Sequence, residues 1–259
     1  MAFLTIAEQQ IEFERIPGAV NVAPLVLLHE GLGSVAMWRD FPKALAAASS
    51  RTVVLYSRLG YGKSDPLDGP RTQRFMHDEA WETLPALCES LKLKNPVLLG
   101  HSDGGSIALL YAARYPVSGL VLLAPHVKVE PISLQGIEEA RQAYVSTDLR
   151  AKLSAYHDDV DGAFRGWNDI WLHPDFATWN IEAEVAEIAA PILAIQGESD
   201  NYGTLEQIES IKRHATESHV KLLKLPNCGH VPQRDQRDIV LSATVSFLAS
   251  LNPELAVSN

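Results

Sequence analysis

The feature that most constrains the fold is a unit that recurs along the chain. A short run, apolar on both faces, closes on a loop bearing glycine or proline, and a helix-like segment follows. Residues 24–29 close on Glu30-Gly31-Leu32-Gly33-Ser34, 52–56 lead into Gly60-Tyr61-Gly62, and 96–99 into Gly100. Residues 119–123 run into Ala124-Pro125, 191–195 into Gln196-Gly197, and 220–225 into Pro226-Asn227. Such runs read as strands covered on both faces, as in parallel sheets. Between them, residues 41–48, 78–91, 106–114, 205–214 and 236–251 carry helix-like patterns. Strand followed by helix, repeated, predicts an α/β fold: a mostly parallel sheet with helices on both faces. In such sheets ligands bind beyond the C-terminal ends of the strands, where these loops lie. Residues 11–16 alternate apolar and polar, a half-buried strand, and Pro17-Gly18 turns the chain after it.

One stretch breaks the rhythm. Residues 126–185 hold no buried-strand run, yet Trp167, Trp171 and Trp179 are three of the chain's five tryptophans. This predicts a helical cap inserted into a core made of 1–125 and 186–259. With 259 residues, 46% of them hydrophobic, one core plus one insertion is the expected organisation. The formal charge of -10 repels a phosphate backbone, so no nucleic-acid partner is expected. No apolar run approaches the roughly 20 residues of a membrane span, so no membrane partner is expected either. Residues 1–16 lack the basic-then-apolar pattern of a signal peptide, and Cys88 and Cys228 are too few for a disulfide framework. A cytoplasmic protein is expected, its oligomeric state left open.

The chemistry concentrates in Gly100-His101-Ser102-Asp103-Gly104-Gly105. The pattern G-x-S-x-G between a buried strand and a helix puts a serine on a strained turn. Serine is a weak nucleophile and needs an adjacent base. His230, in Cys228-Gly229-His230-Val231 after the last strand run, is the histidine at the right end of the sheet. The acid belongs in the loop after 191–195, which offers Glu198 and Asp200. Two backbone N–H groups are needed for developing negative charge. One is that of Asp103, after the nucleophile. The other comes from the loop after His29: Gly31, or Leu32 in the alternative register.

In order and spacing these pieces resemble the α/β-hydrolase superfamily, along almost the whole chain. The matching segments are Leu28 to Gly33, Ser57 to Ser64, the serine segment, Gly197 to Asp200, and Gly229-His230. The resemblance implies about eight strands, a cap over the site, and Asp200 as the acid. It implies no metal or organic cofactor. Two departures stand out: Glu30 replaces the usual glycine of a His-Gly pair, and Asp103 follows the nucleophile. Ser102-Asp103-Gly104-Gly105 is similar to the elbow of valacyclovirase-like amino-acid ester hydrolases, where the aspartate is associated with a substrate amino group. The other reading is that Asp103 caps the helix after it. Trp167 and Trp171 either line the pocket or form the cap's own core. His126, Arg58 and Glu30 sit at strand ends near the site, while His101 and His29 are expected to be structural.

The expected activity is hydrolysis of a small carboxylic ester, a small-molecule substrate, through an acyl-enzyme on Ser102. Lactones, thioesters and the C–C bonds of ring-cleavage products are alternatives on the same residues. A ligand receptor or a cofactor-independent oxygenase is the alternative of another class.

Overall fold

A computed structural model describes residues 2–251. Eight strands form one sheet: β1 (Ala2–Ile6), β2 (Gln9–Ile16), β3 (Leu25–Leu28), β4 (Val53–Tyr56), β5 (Val97–His101), β6 (Gly119–Leu123), β7 (Ile192–Gly197) and β8 (Val220–Leu225). Their order is β1-β2-β4-β3-β5-β6-β7-β8. From β4 to β8 every neighbouring pair is parallel; β1 and β2 add an antiparallel edge.

The six parallel strands are those read from the apolar runs. Five of them, β3 to β7, are buried residue by residue. β8, at the sheet's edge, carries Lys221 and Lys224 among its apolar residues and is only partly buried. β1 is an addition to the sequence reading. It is largely exposed, so no apolar pattern marks it. Its turn into β2 passes through Ala7 and Glu8, both at positive φ, without the Asn-Gly or Asp-Gly that usually signals such a turn.

Two apolar layers flank the sheet. One holds Phe41, Leu45, Val240 and Phe247; the other runs from Met76 and Leu109 up to Trp167 and Trp171. Helices Phe41–Ser49 and Arg237–Ser250 lie on the first side. The segment read as a helix over 78–91 starts earlier, at Phe75–Asp78. It widens into a π-helical turn, Glu79–Thr83, before Leu84–Ser90. Pro85 has no N–H to give the preceding turn, which suits a wider register there.

Between β6 and β7 the chain forms Pro131–Ser146, Leu149–Leu153, Val160–Trp171 and Glu182–Val185. Asp159 starts the third of these by accepting from Gly162 N–H at 2.9 Å. The two ends of the excursion are tied: Val129 N–H donates to Trp179 O at 3.1 Å and Ile181 N–H to Val127 O at 2.8 Å. No helix among the described residues is long and apolar enough to cross a membrane.

Candidate active site

Ser102 sits between the end of β5 and the helix Asp103–Ala112, with φ 52° and ψ -120°. That conformation costs a non-glycine residue of order 1–3 kcal/mol and lifts the side chain off the sheet. The flanking glycines make it possible. A Cβ on Gly100 would lie 2.2 Å from Gly104 O, and one on Gly104 would lie 2.1 Å from Leu28 O. The helix begins three residues before the predicted 106 because tertiary packing overrides the poor propensity of Gly104-Gly105.

Ser102 Oγ lies 2.9 Å from His230 Nε2. His230 Nδ1 lies 2.9 Å from both carboxylate oxygens of Asp200. Glu198, the other acid of that loop, is exposed. Asp200 also accepts from Tyr202 N–H at 2.8 Å and from the Gln196 amide at 3.2 Å. Burial pushes its carboxyl up, but the bond and charge of His230 outweigh this and leave it below the usual carboxylate range. Tyr202 packs on the His230 ring at 4.8 Å. It went unread in the sequence, although it stands two residues after the acid.

Above Ser102 is the loop Glu30 to Gly33. Three donors fix the Glu30 carbonyl: Arg58 Nη2 at 3.0 Å, His29 Nδ1 at 2.6 Å and Gly33 N–H at 3.0 Å. A trans peptide puts Gly31 N–H on the opposite side from that carbonyl. The N–H groups of Gly31, Leu32 and Asp103 meet no acceptor among the described residues. Gly31 is pressed by the helix Val160–Trp171: an added Cβ would lie 2.1 Å from Trp167 Nε1. His157, between the helices Leu149–Leu153 and Val160–Trp171 and also unread, bridges two loops. It accepts from Gly62 N–H at 3.0 Å and donates to Leu32 O at 3.0 Å.

Asp103 does something neither sequence reading contained. Its side chain makes no helix-capping hydrogen bond: Oδ1 is taken by Trp171, and Oδ2 has no hydrogen-bond partner among the described residues. It is buried, accepts from Trp171 Nε1 at 3.2 Å, and faces Arg58 Nη2 at 3.9 Å. Burial pushes its carboxyl up, with Arg58 and the Trp171 bond opposing. Arg58 itself lies behind the site, whereas His126 and Glu30 line it. Burial holds the His126 imidazole down at about 3, so it is neutral, and its Nδ1 has no partner among the described residues.

The departure at position 30 has a partner in His101. His101 Nδ1 faces Glu30 Oε2 at 3.3 Å and the Gln233 amide at 3.0 Å, and its Nε2 donates to His230 O at 2.8 Å. Burial pushes the Glu30 carboxyl up, but the bond to His101 overrides it and brings it to about 2. Burial lowers His101, and the Glu30 bond and charge more than reverse that, raising it. The signs fix a window. The Glu30 contribution to stability is complete above the free carboxyl value of 4.5 and is lost as pH falls toward 2. That of His101 is complete below its free value of 6.5 and is lost as pH rises through the raised one. Glu30→Gln is expected to cost most stability between these limits, with the difference from wild type shrinking on either side. Urea unfolding at pH 3, 5.5 and 9 measures it.

Ser102, His230, Asp103, Gly31, Leu32, Trp167 and Trp171 therefore share one cavity, of about 130 Å³, with Ile137 and Tyr202 completing its apolar wall. Trp171 does double duty, since it also packs on Phe176, five residues further along the same excursion.

Known proteins agree with this architecture. A 2-hydroxy-6-oxo-6-phenylhexa-2,4-dienoate hydrolase of Burkholderia cepacia is 23% identical, with 96% of each chain covered. A proline iminopeptidase of Lactobacillus crispatus (strain ST1) is 40% identical over 53% of this chain and 49% of its own. Among solved structures, an enol-lactonase from Burkholderia xenovorans LB400 superposes with a TM-score of 0.73 at 19% identity, covering 95% of this chain and 99% of that one. The sequence profile described as "Alpha/beta hydrolase family" matches residues 25–243. The chain belongs to the alpha/beta hydrolase family.

Proposed function

We propose that this hydrolase cleaves small carboxylic esters, or closely related acyl compounds, through an acyl-enzyme. The observation that carries the reading is the unbroken chain from Ser102 through His230 to Asp200 at the edge of an apolar cavity. His230 Nε2 takes the Ser102 proton as Oγ bonds to the acyl carbon. The carbonyl electrons move to oxygen, which the Gly31 and Asp103 N–H groups hold. On collapse the bond to the leaving group breaks, and that group takes the proton from His230. Water then repeats the sequence and releases the acid. A cavity near 130 Å³ suits an acyl group no larger than a benzene ring, which a pocket of about 150 Å³ admits. Arg58 already supplies the countercharge of Asp103, so we assign Asp103 to holding Trp171 rather than to a substrate amine.

A fluorophosphonate probe tests the reading. It is expected to label Ser102, and labelling is expected to abolish turnover of p-nitrophenyl acetate. Labelling elsewhere, or undiminished turnover, would refute it. Gly31→Ala is expected to lower kcat by at least about 10²-fold, because the new methyl displaces either Trp167 or the donor loop. The full-length match to the Burkholderia cepacia enzyme favours a second reading, C–C hydrolysis of a ring-cleavage product. Loss of the dienoate absorbance of that substrate class is the assay for it.

A further inference from the structure

A second space adjoins the cavity. Glu30 and Val231 belong both to the cavity wall and to that of an open cleft of about 330 Å³. The two spaces differ in character. The inner one is mainly apolar; the outer one carries Arg39, Arg234 and Arg237 beside Trp38, Phe41 and Tyr156. This is notable on a chain of net charge -10. The carboxylates of the outer wall, Glu30 and Asp40, are engaged by His101 at 3.3 Å and Arg237 at 2.9 Å. Arg234 reaches Asp235 at 3.2 Å but is 64% exposed. Arg39 is exposed and has no carboxylate partner among the described residues. It is held at φ 54° and ψ -124°, a left-handed backbone for a residue with a Cβ.

Resting on the proposed hydrolase reading, we propose that this cleft binds the leaving-group half of the substrate, and that this half carries an anion, phosphate or carboxylate. The side is set by chemistry. The leaving group takes its proton from His230 Nε2, and Val231, Gln233 and Arg234, which follow His230, form one wall of the cleft. It must also depart while the acyl group stays on Ser102, which the open side permits. Arginine pairs with either anion through two parallel hydrogen bonds, an arrangement a lysine cannot copy.

The test compares acetyl esters and thioesters with the same acyl group. Phenyl acetate has a neutral leaving group, 4-acetoxybenzoate a carboxylate, and acetyl-CoA phosphates. The readout is the ratio of kcat/KM for each anionic substrate to that for phenyl acetate, at low and high salt. Arg39→Ala/Arg234→Ala is expected to lower at least one ratio by about tenfold. Salt at 0.5 M is expected to lower the same ratio in the wild type. Arg39→Lys/Arg234→Lys is expected to restore part of it. A fall confined to acetyl-CoA assigns phosphate, and one confined to 4-acetoxybenzoate assigns carboxylate. Ratios that stay the same in the alanine variant overturn the proposal, even if every ester is hydrolysed. Failure to turn over any of the three would instead strike the hydrolase reading itself.

Discussion

Ser102→Ala is expected to reduce kcat for any substrate of this protein by about 10⁶-fold while leaving it folded. Alanine removes the one oxygen positioned to attack, and no other hydroxyl lies within reach of His230 Nε2 among the described residues. What remains is the oxyanion site and the cavity, worth roughly 10³-fold over water in comparable sites. The fold is not expected to notice. Alanine bears the same backbone strain as serine at φ 52°, and the lost hydrogen bond is part-buried and worth about 1 kcal/mol. The measurement is a progress curve on p-nitrophenyl acetate beside a thermal melt. Activity above one part in a thousand with an unchanged melt would show that another group is the nucleophile.

Arg58→Met is expected to destabilise the protein by about 3–5 kcal/mol, because it strips the partner from charges and carbonyls that stay buried. Arg58 is 1% exposed. It donates to His29 O at 2.6 Å and Glu30 O at 3.0 Å, and it faces Asp103 at 3.9 Å. Its charge also acts on Glu79, whose carboxylate accepts from Tyr56 Oη at 2.6 Å. Burial already pushes Asp103 and Glu79 up, and Arg58 is what opposes it. Without it both carboxyls take up protons at higher pH, the His29 carbonyl loses the Arg58 bond, and the Glu30 carbonyl loses one of its three donors. Urea unfolding is expected to show a lower midpoint with the same slope. Because the Glu30 carbonyl then keeps only His29 Nδ1 and Gly33 N–H as donors, the Gly31 peptide is held less firmly and activity is expected to fall as well. Arg58→Lys is expected to recover little, since one ammonium cannot span both carbonyls and the carboxylate.

Five of the six parallel strands were legible because burial on both faces demands short uninterrupted apolar runs closed by turn residues. The serine turn was legible because its glycines are forced by backbone contacts within a few residues. β1 was not, since an exposed edge strand bears no pattern. The positions of Tyr202, His157 and Gln233 were not, because each depends on elements distant in sequence. Arg58 is the clearest case. Its neighbours read as a turn after β4, yet its role comes from carbonyls of the loop after β3 and a carboxylate after β5. The same holds at position 30. A glutamate there looks like a departure from pattern until His101 is found beside it.

The excursion from Val127 to Ile181 leaves and re-enters the sheet through one small pair of backbone bonds. A segment attached at so narrow a neck is a replaceable part. Cutting at 128 and 180 and grafting a foreign helical lid onto the same two ends should leave the eight-stranded platform intact. The platform makes several demands on such a lid, among them an indole or equivalent donor for Asp103, a side chain that bridges Gly62 N–H and Leu32 O as His157 does, and partners for Tyr202 O and Thr204 such as Ser133 and Glu130 now supply. A graft that keeps these contacts is expected to change substrate range while the serine, histidine and aspartate stay in place.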